Sequence, residues 1–207
     1  MTRPTTHRDR AKAERRASLV TAAARLFAAH GYAAVTIDQL GTAVGISGPA
    51  VYRHFPGKQM VLEELLVGVS TRLHEGGREV CAAGSPPSET LRALVEFHTR
   101  FALVETDVIR VQDRDLPSLN PLARDQVRTL QRAYVDDWVA TLRALDPTLS
   151  DPLARLRVHA VFGLLNSTPH ALRGSRADRA VAANELAAAA WAALTAAASP
   201  IGDAPRA

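Results

Sequence analysis

Residues 36–58, TIDQLGTAVGISGPAVYRHFPGK, constrain the fold more than any other stretch, because glycine and proline divide them into two short helical segments. Thr36 is a favourable N-cap for a first helix that places Ile37 and Leu40 on one face. Gly45 then permits a tight turn, since glycine adopts the backbone conformations that end helices. The pattern therefore predicts two short helices joined by a turn.

The second short helix begins after this turn. Ser47 is a suitable N-cap, and Pro49 lies in the first turn, where its missing N–H costs nothing. Val51 and Phe55 are four residues apart, so we expect both to face inward. The side chains left to face outward are those of Ala50, Tyr52, Arg53 and His54.

Lys58 follows the Pro56-Gly57 pair that ends the second helix, and it begins the next helix at a position that could reach a phosphate. Two short helices joined by a tight turn form a helix-turn-helix pattern. Such proteins place their second helix in the major groove of DNA. The sequence therefore predicts a DNA-binding element near the front of the chain.

These residues resemble the TetR family of bacterial transcriptional regulators. The stretches that carry the resemblance are HGYAAVTIDQLGTAVGIS and PAVYRHFPGKQMVLEEL, and the Tyr-x-His-Phe-x-x-Lys run is the specific part. The match is close over about residues 10–66, and beyond them only length and helical character agree. We therefore expect an all-α chain of about nine helices, with a three-helix helix-turn-helix domain followed by a helical ligand-binding and dimerisation domain.

The resemblance assigns DNA-contact roles position by position. It implies that Thr36 anchors its helix on the DNA backbone and that Tyr52, His54 and Lys58 contact phosphates. The residues that it places near base edges are Ser47, Gly48, Pro49 and Ala50. The last three offer no side-chain hydrogen bonds, so we expect Arg53 and the N-terminal arm to supply much of the specificity through DNA shape.

Gly41 departs from the family pattern in the middle of the first of the two helices. The family more often has alanine there. Glycine in a helix interior costs roughly 1 kcal/mol relative to alanine, so the sequence predicts a slightly loosened helix.

Positive charge is concentrated at the front of the chain. Residues 1–58 hold nine Lys/Arg against three Asp/Glu, so in a chain of net charge +4 the remainder carries −2. Only this front part favours phosphate. Exposed tails that bind nothing are also often basic. Here a helix-turn-helix directly follows the basic segment, and this favours DNA binding.

The 207 residues are enough for a small front domain and a larger second one. We divide the chain into a basic flexible arm at 1–9, a helix-turn-helix DNA-binding domain at 10–58, a helical effector-binding and dimerisation domain at 59–198, and a disordered tail at 199–207. A single cysteine, Cys81, excludes an internal disulfide framework and fits a cytoplasmic location. No apolar run approaches the roughly 20 residues that span a bilayer.

No motif of an enzyme is present. The seven histidines form no His-Glu-x-x-His motif, and the sequence has no Gly-x-Ser-x-Gly, no glycine-rich phosphate loop and no Cys-x-x-Cys. We therefore expect a protein without catalytic activity, cofactor or metal.

The second domain is predicted to consist of helices separated by proline and glycine. The predicted segments are Lys58 to about Ala82, a helix from Pro87, a short segment around 107–115, and helices at 122–145, 152–165 and 177–198. The last of them has thirteen alanines in twenty-two positions, so it can approach another helix closely. In the family that the chain resembles, the last two helices form a four-helix bundle with a second subunit. We expect a homodimer through 152–165 and 177–198, the alternative being a monomer that packs these alanines on its own core.

The second domain is also expected to bind a small-molecule effector, as the family does. The candidate residues, which combine apolar bulk with a few polar atoms, are His98, Phe101, Tyr134, Trp138, His159, Phe162 and Asn166. Each of them alone is more often ordinary core, and for Asn166 the capping of a broken helix is a simpler explanation than a ligand contact. Arg110 and Arg114 could hold an anionic effector such as an acyl thioester of coenzyme A, although intrahelical ion pairing is the simpler explanation.

These features predict a sequence-specific DNA-binding transcriptional regulator. The resemblance implies a ligand-responsive repressor that acts as a homodimer on a palindromic operator. The alternative is a DNA-binding regulator whose second domain docks a protein partner and senses no small molecule.

Overall fold

The computed structural model describes residues 7–168 and 176–197, and the structural statements below concern this part of the chain. Its helices are α1 (His7–His30), α2 (Ile37–Ala43), α3 (Gly48–Val51), α4 (Lys58–Ala82), α5 (Pro87–Val104), α6 (Thr106–Asp115), α7 (Pro121–Leu145), α8 (Asp151–Leu165) and α9 (Arg176–Thr195), with a short 3-10 helix, Leu116–Ser118, before α7. These residues form no β-strand, and the predicted all-α fold is confirmed.

Capping residues set several of the helix boundaries. The hydroxyl of Thr36 accepts a hydrogen bond from the main-chain N–H of Gln39 at 3.2 Å, and the side chain of Gln39 accepts one from the N–H of Thr36 at 2.8 Å. This reciprocal capping box fixes the start of α2. Gly45 follows α2 with φ at +72°, a conformation that glycine adopts without strain.

The first apolar cluster joins α1, α2 and α3 to the front half of α4, to α6 and to the start of α7. Its fully buried members include Phe27, Leu40, Val51, Phe55 and Leu62. Val51 and Phe55 thus face inward, as their four-residue spacing predicts. Burial of this many large side chains holds the short helices α2 and α3, which are too short to be stable alone.

The second apolar cluster lies among α5, α7, α8 and α9. Trp138, Leu142 and Leu194 are fully buried there. Helix α4 belongs to both clusters, because Val61 packs in the first and Leu73 packs against the second. One continuous helix therefore connects the front domain to the second domain.

Two predicted boundaries need correction. Residues 7–9 were assigned to the flexible arm but lie in α1, because the helical pattern extends three residues further towards the N-terminus. The last helix was predicted over 177–198 but ends at Thr195. Residues 1–6 of the arm and the predicted tail at 199–207 lie outside the described residues. Within the described ranges, no helix is long and apolar enough to cross a membrane.

Candidate nucleic-acid interface and effector cavity

Gly41 allows the turn between α2 and α3 to pack against α2. Its carbonyl accepts hydrogen bonds from the N–H of Val44 at 3.1 Å and of Ile46 at 3.0 Å. A Cβ atom at position 41 would lie only 2.7 Å from the carbonyl oxygen of Ile46. Alanine would therefore force the main chain to move. The sequence predicted only that Gly41 loosens the helix, whereas the structure shows that glycine is needed for this close approach.

The residues predicted to meet DNA are not equally accessible. Ser47 and Pro49 are exposed, Ala50 is half-buried, and Tyr52 is 57% exposed. Gly48, by contrast, is buried beside Asp38 and presents no side chain to the outer surface. The base-edge role predicted for Gly48 thus has no support from its position, because α3 turns this residue towards α2.

A basic groove lies between the start of α1 and the end of α3. Arg8, Lys12, Arg53 and His54 line it together with Asp9. The Nδ1 atom of His54 is buried and has no hydrogen-bond partner. Burial lowers the pKa of His54, and positive side chains nearby lower it further. These side chains are Lys12, Arg15, Arg16 and Arg53. A phosphate group bound in this groove would offset the positive charges and favour the protonated imidazole.

Two of the basic residues near the front bond to other groups of the protein. Arg16 donates from Nε to Glu64 Oε1 at 2.9 Å, and its guanidinium carbon lies 4.0 Å from the centroid of the Phe55 ring. Arg15 donates to the carbonyl of Val44 at 3.0 Å. The charge of Arg16 is therefore balanced within the protein by Glu64, whereas Arg15 stays exposed.

Lys58 also contacts main-chain groups. Its Nζ atom donates to the carbonyls of Tyr32 at 2.8 Å, Ala33 at 3.1 Å and Val35 at 2.7 Å, and lies 4.5 Å from the Tyr32 ring centroid. An ammonium group has three donors, and all three are used here. Lys58 thus fastens the connection between α1 and α2 to the start of α4. Its phosphate contact stays a prediction that would require exchanging one of these bonds.

An apolar cavity of about 170 Å³ lies inside the second domain. Six of the predicted effector residues line it, namely His98, Phe101, Tyr134, His159, Phe162 and Asn166. The lining residues that sequence reasoning missed are Ser70, Leu73, Ile109, Gln112, Gln131 and Val135. Periodicity shows which face of a helix is buried, but not which buried faces surround a space.

Two predicted effector residues do not line the cavity. Trp138 is fully buried behind the wall, with its ring centroid 6.1 Å from that of Tyr134 and 5.0 Å from that of Phe162. Arg110 points its guanidinium towards Asp107, at 3.8 Å, which is the intrahelical ion pairing that the sequence left open. The prediction of an effector contact is thus corrected for both residues.

His98 is the polar centre of the cavity wall. Its Nε2 atom lies 3.2 Å from Asn166 Oδ1 and its Nδ1 atom 3.3 Å from the hydroxyl of Tyr134. Because the amide oxygen only accepts, Nε2 carries the proton and Nδ1 accepts from the tyrosine. Burial lowers the pKa of His98 to about 4, against a smaller opposite effect of the bond to Asn166, so the ring is neutral. It stacks on Phe162 with a centroid distance of 4.6 Å.

Comparison with known proteins identifies the family. Residues 19–65 match the family described as bacterial regulatory proteins, tetR family, and residues 84–192 match the tetracyclin repressor-like C-terminal domain. The chain belongs to the TetR family. It is accordingly a DNA-binding transcription regulator and not an enzyme.

Individual relatives of this TetR-family protein agree with the assignment. The transcriptional repressor KstR2 of Rhodococcus jostii is 37% identical over 95 residues, which cover 46% of this chain and 47% of KstR2. The chain thus spans about half the length of these curated relatives.

Solved structures share the fold. A TetR-family regulator from Bordetella parapertussis 12822 has a TM-score of 0.78 at 23% identity, covering 88% of this chain and 95% of that one. AibR, solved with isovaleryl coenzyme A and operator DNA, has a TM-score of 0.70 at 16% identity, covering 86% and 96%. At these identities the likeness establishes the fold alone.

In this TetR-family regulator, α6 connects the cavity to the DNA-binding domain. Ile109 and Gln112 of α6 line the cavity. Arg114, further along α6, donates to the carbonyl of Phe27 at the end of α1 and pairs with Asp115 at 3.0 Å. Arg114 is therefore committed to a contact between domains, so the anionic effector that the sequence suggested for it is not supported.

Proposed function

We propose that the protein is a ligand-responsive repressor that binds a palindromic operator as a homodimer. The observation that carries this proposal is the position of α6, which lines the cavity with two side chains and holds the end of α1 with a third. A molecule in the cavity would thereby act on the DNA-binding domain. A dimer on a promoter represses by occupying the site that polymerase needs. The cytoplasmic location stays a prediction.

Contact with DNA is proposed for the outer surface of α3 and the adjoining basic groove. Ser47, Tyr52 and Arg53 are exposed. Arg53 also lines the groove with Arg8 and Lys12 from the start of α1. Hydrogen bonds to phosphates fix orientation, whereas base edges and groove shape supply specificity. Few side chains here can read bases, so DNA shape is expected to contribute strongly.

Pairing of two copies through α8 and α9 is supported by exposed small and apolar side chains. On α8, exposed Leu156, Ala160 and Gly163 follow at intervals of four and three residues, which places them on one face. On α9, Val181 is 63% exposed. Helices α8 and α9 lie side by side, since Arg157 donates to the carbonyl of Leu194 at 3.0 Å. Both faces can therefore enter one four-helix bundle with a second copy.

Ala160→Arg tests the dimer. It introduces a charge in the middle of this exposed face, where two copies would meet, while the buried side of α8 is untouched. We expect the wild type to sediment at about twice the 22.2 kDa of one chain and the variant to sediment as one chain. A wild type that remained a single chain at micromolar concentration would contradict the dimer.

The proposed response to an effector is a shift between two conformations. An effector that prefers one position of α6 favours one spacing of the two DNA-binding domains in the dimer, and the operator favours another. Such coupling typically changes affinity by about 5- to 150-fold. Ile109 and Gln112 are the side chains through which the effector would act on α6.

The deciding experiment selects bound duplexes from a random DNA pool at a fixed salt concentration. We expect enrichment of an inverted repeat, reduced for Tyr52→Phe and Arg53→Ala but not for Arg100→Gln, which changes an exposed arginine of α5. Absence of enrichment with the wild type would contradict operator binding. Enrichment combined with no response to any small molecule would favour the alternative, a second domain that docks a protein partner.

A further inference from the structure

The cavity adjoins a basic groove on the surface between α7 and α8. The groove has a volume of about 180 Å³, and the residues that line it are Arg128, Gln131, Arg132, Val135, Arg155 and His159. Gln131, Val135 and His159 also line the cavity. The two spaces therefore adjoin at these three side chains, and a molecule that displaces one of them could extend from the cavity into the groove.

Two arginines of this groove have no acidic partner in the described part of the chain. Arg128 and Arg132 are exposed and four residues apart on α7, so they lie on the same face. Neither forms an ion pair with any of the described residues, and the only hydrogen bond of their side chains runs from Arg132 to the Thr129 hydroxyl at 3.0 Å. Two like charges at this spacing repel each other, and an anion between them would remove that repulsion.

Arg155 differs from these two arginines. It donates to Asp136 Oδ1 at 2.7 Å and lies 3.6 Å from Asp151 Oδ2, so its charge is largely balanced. It forms the opposite edge of the groove from α8. The unbalanced positive charge of the groove thus belongs to α7, next to the wall that it shares with the cavity.

We propose that the effector is an amphipathic anion whose apolar part lies in the cavity and whose carboxylate or phosphate lies at Arg128 and Arg132. This inference rests on the proposed function, because it names the effector of the same cavity. Cavities of about 150 Å³ hold a benzene ring, so the apolar part is a single ring or a short branched chain. Gln131 and His159 supply polar atoms between the two spaces.

Two kinds of molecule share this chemistry. One is a free carboxylic acid, whose charge lies next to its apolar part. The other is a coenzyme A thioester, whose acyl group would fill the cavity while its phosphates reach the arginines outside. The experiment therefore includes both kinds and also their uncharged counterparts.

The test measures dissociation constants by calorimetry for phenylacetate, 3-methylbutanoate, their coenzyme A thioesters, the two matching amides and coenzyme A alone. We expect an acid or a thioester to bind at least about tenfold more tightly than its amide, in line with the strength of charge-assisted hydrogen bonds. Tight binding of thioesters alone identifies the coenzyme, and tight binding of the acids identifies the free carboxylate.

Variants locate the binding. Arg128→Gln combined with Arg132→Gln is expected to weaken anion binding by about tenfold or more and to leave the sedimentation of the dimer unchanged. Arg100→Gln, an exposed arginine of α5, is the matched control and should change nothing. Ile109→Phe fills the cavity and should weaken binding of the apolar part without altering the groove.

Several results would overturn the inference. They are equal affinity for acids and amides, no binding of any acid or thioester, no effect of the double variant, or a double variant that sediments as a single chain. If amides bound and released operator DNA, and Ile109→Phe abolished that release, effector sensing would stand while the anionic assignment failed. Failure of the proposed function itself would appear in the DNA selection instead.

Discussion

Arg114, the penultimate residue of α6, donates a hydrogen bond to the main-chain carbonyl of Phe27, near the carboxyl end of α1. The neighbouring Asp115 accepts from the main-chain N–H of Tyr32 at 3.3 Å. These two contacts join the second domain to the connection between α1 and α2. Together with the packing of Val108 and Val111 of α6 in the first apolar cluster, they hold the front domain against the second domain.

Arg114→Ala should loosen that connection. We expect faster amide hydrogen exchange at residues 28–33 and a free energy of unfolding lower by about 1–2 kcal/mol, because the carbonyl of Phe27 loses a donor. Arg110→Ala, which removes another arginine of α6, serves as the control and should leave exchange at these residues unchanged. Equal exchange in both variants would show that Arg114 does not hold the two domains together.

Gly41→Ala should destabilise the protein although alanine is the better helix former. The added methyl group would lie 2.7 Å from a main-chain oxygen, which costs about 1–3 kcal/mol of unfolding free energy. Gly68→Ala on α4 is a matched control, because the nearest atom to its Cβ would be the Arg72 side chain at 3.8 Å. Urea unfolding should show a gain of up to about 1 kcal/mol for the control. A gain at both positions would exclude the close contact at Gly41.

Lys58→Met separates a structural role from a DNA contact. Loss of three hydrogen bonds to carbonyls should lower the free energy of unfolding by about 1–3 kcal/mol. If the ammonium group also neutralises a phosphate, the slope of log affinity against log salt becomes less steep by about 0.9. Operator binding over a salt series, beside urea unfolding, distinguishes the two roles. Unchanged stability would contradict the structural role.

Operator affinity should increase as the pH falls below about 6.5, the ordinary pKa of histidine. Burial and the surrounding cations lower the pKa of His54 in the free protein, so its imidazole is neutral there. A nearby phosphate favours the protonated form, and binding would take up a proton. His54→Gln should flatten this dependence, whereas His30→Gln, at the end of α1, should not. The same pH profile for all three proteins would contradict a phosphate at His54.

Buried His98 should make the protein less stable in mild acid. Its pKa is about 4 when folded and about 6.5 when unfolded, so the unfolded chain binds more protons between these values. The free energy of unfolding should therefore fall as the pH decreases from about 6.5 to about 4, by up to about 3 kcal/mol. Urea unfolding at several pH values should show a shallower slope for His98→Phe. Parallel slopes would mean that folding does not lower the pKa of His98.

The helix-turn-helix and most helix boundaries were determined by the sequence alone. Thr36, Gly45 and Pro56-Gly57 act through local backbone preferences, which depend only on neighbours along the chain. The inward positions of Val51 and Phe55 follow from helical spacing in the same way. Aromatic and polar residues of the second domain were sufficient to predict half of the cavity lining.

Only the tertiary structure decided which long side chains are engaged inside the protein. From the sequence, Lys58, Arg16 and Arg114 would be taken for charged residues on the surface. In the structure each bonds to a group that is 23 or more residues away in sequence. The close approach at Gly41 and the groove beside the cavity likewise depend on how separate elements meet. Local sequence encodes helices and their buried faces, whereas contacts between distant residues form only when those faces pack together.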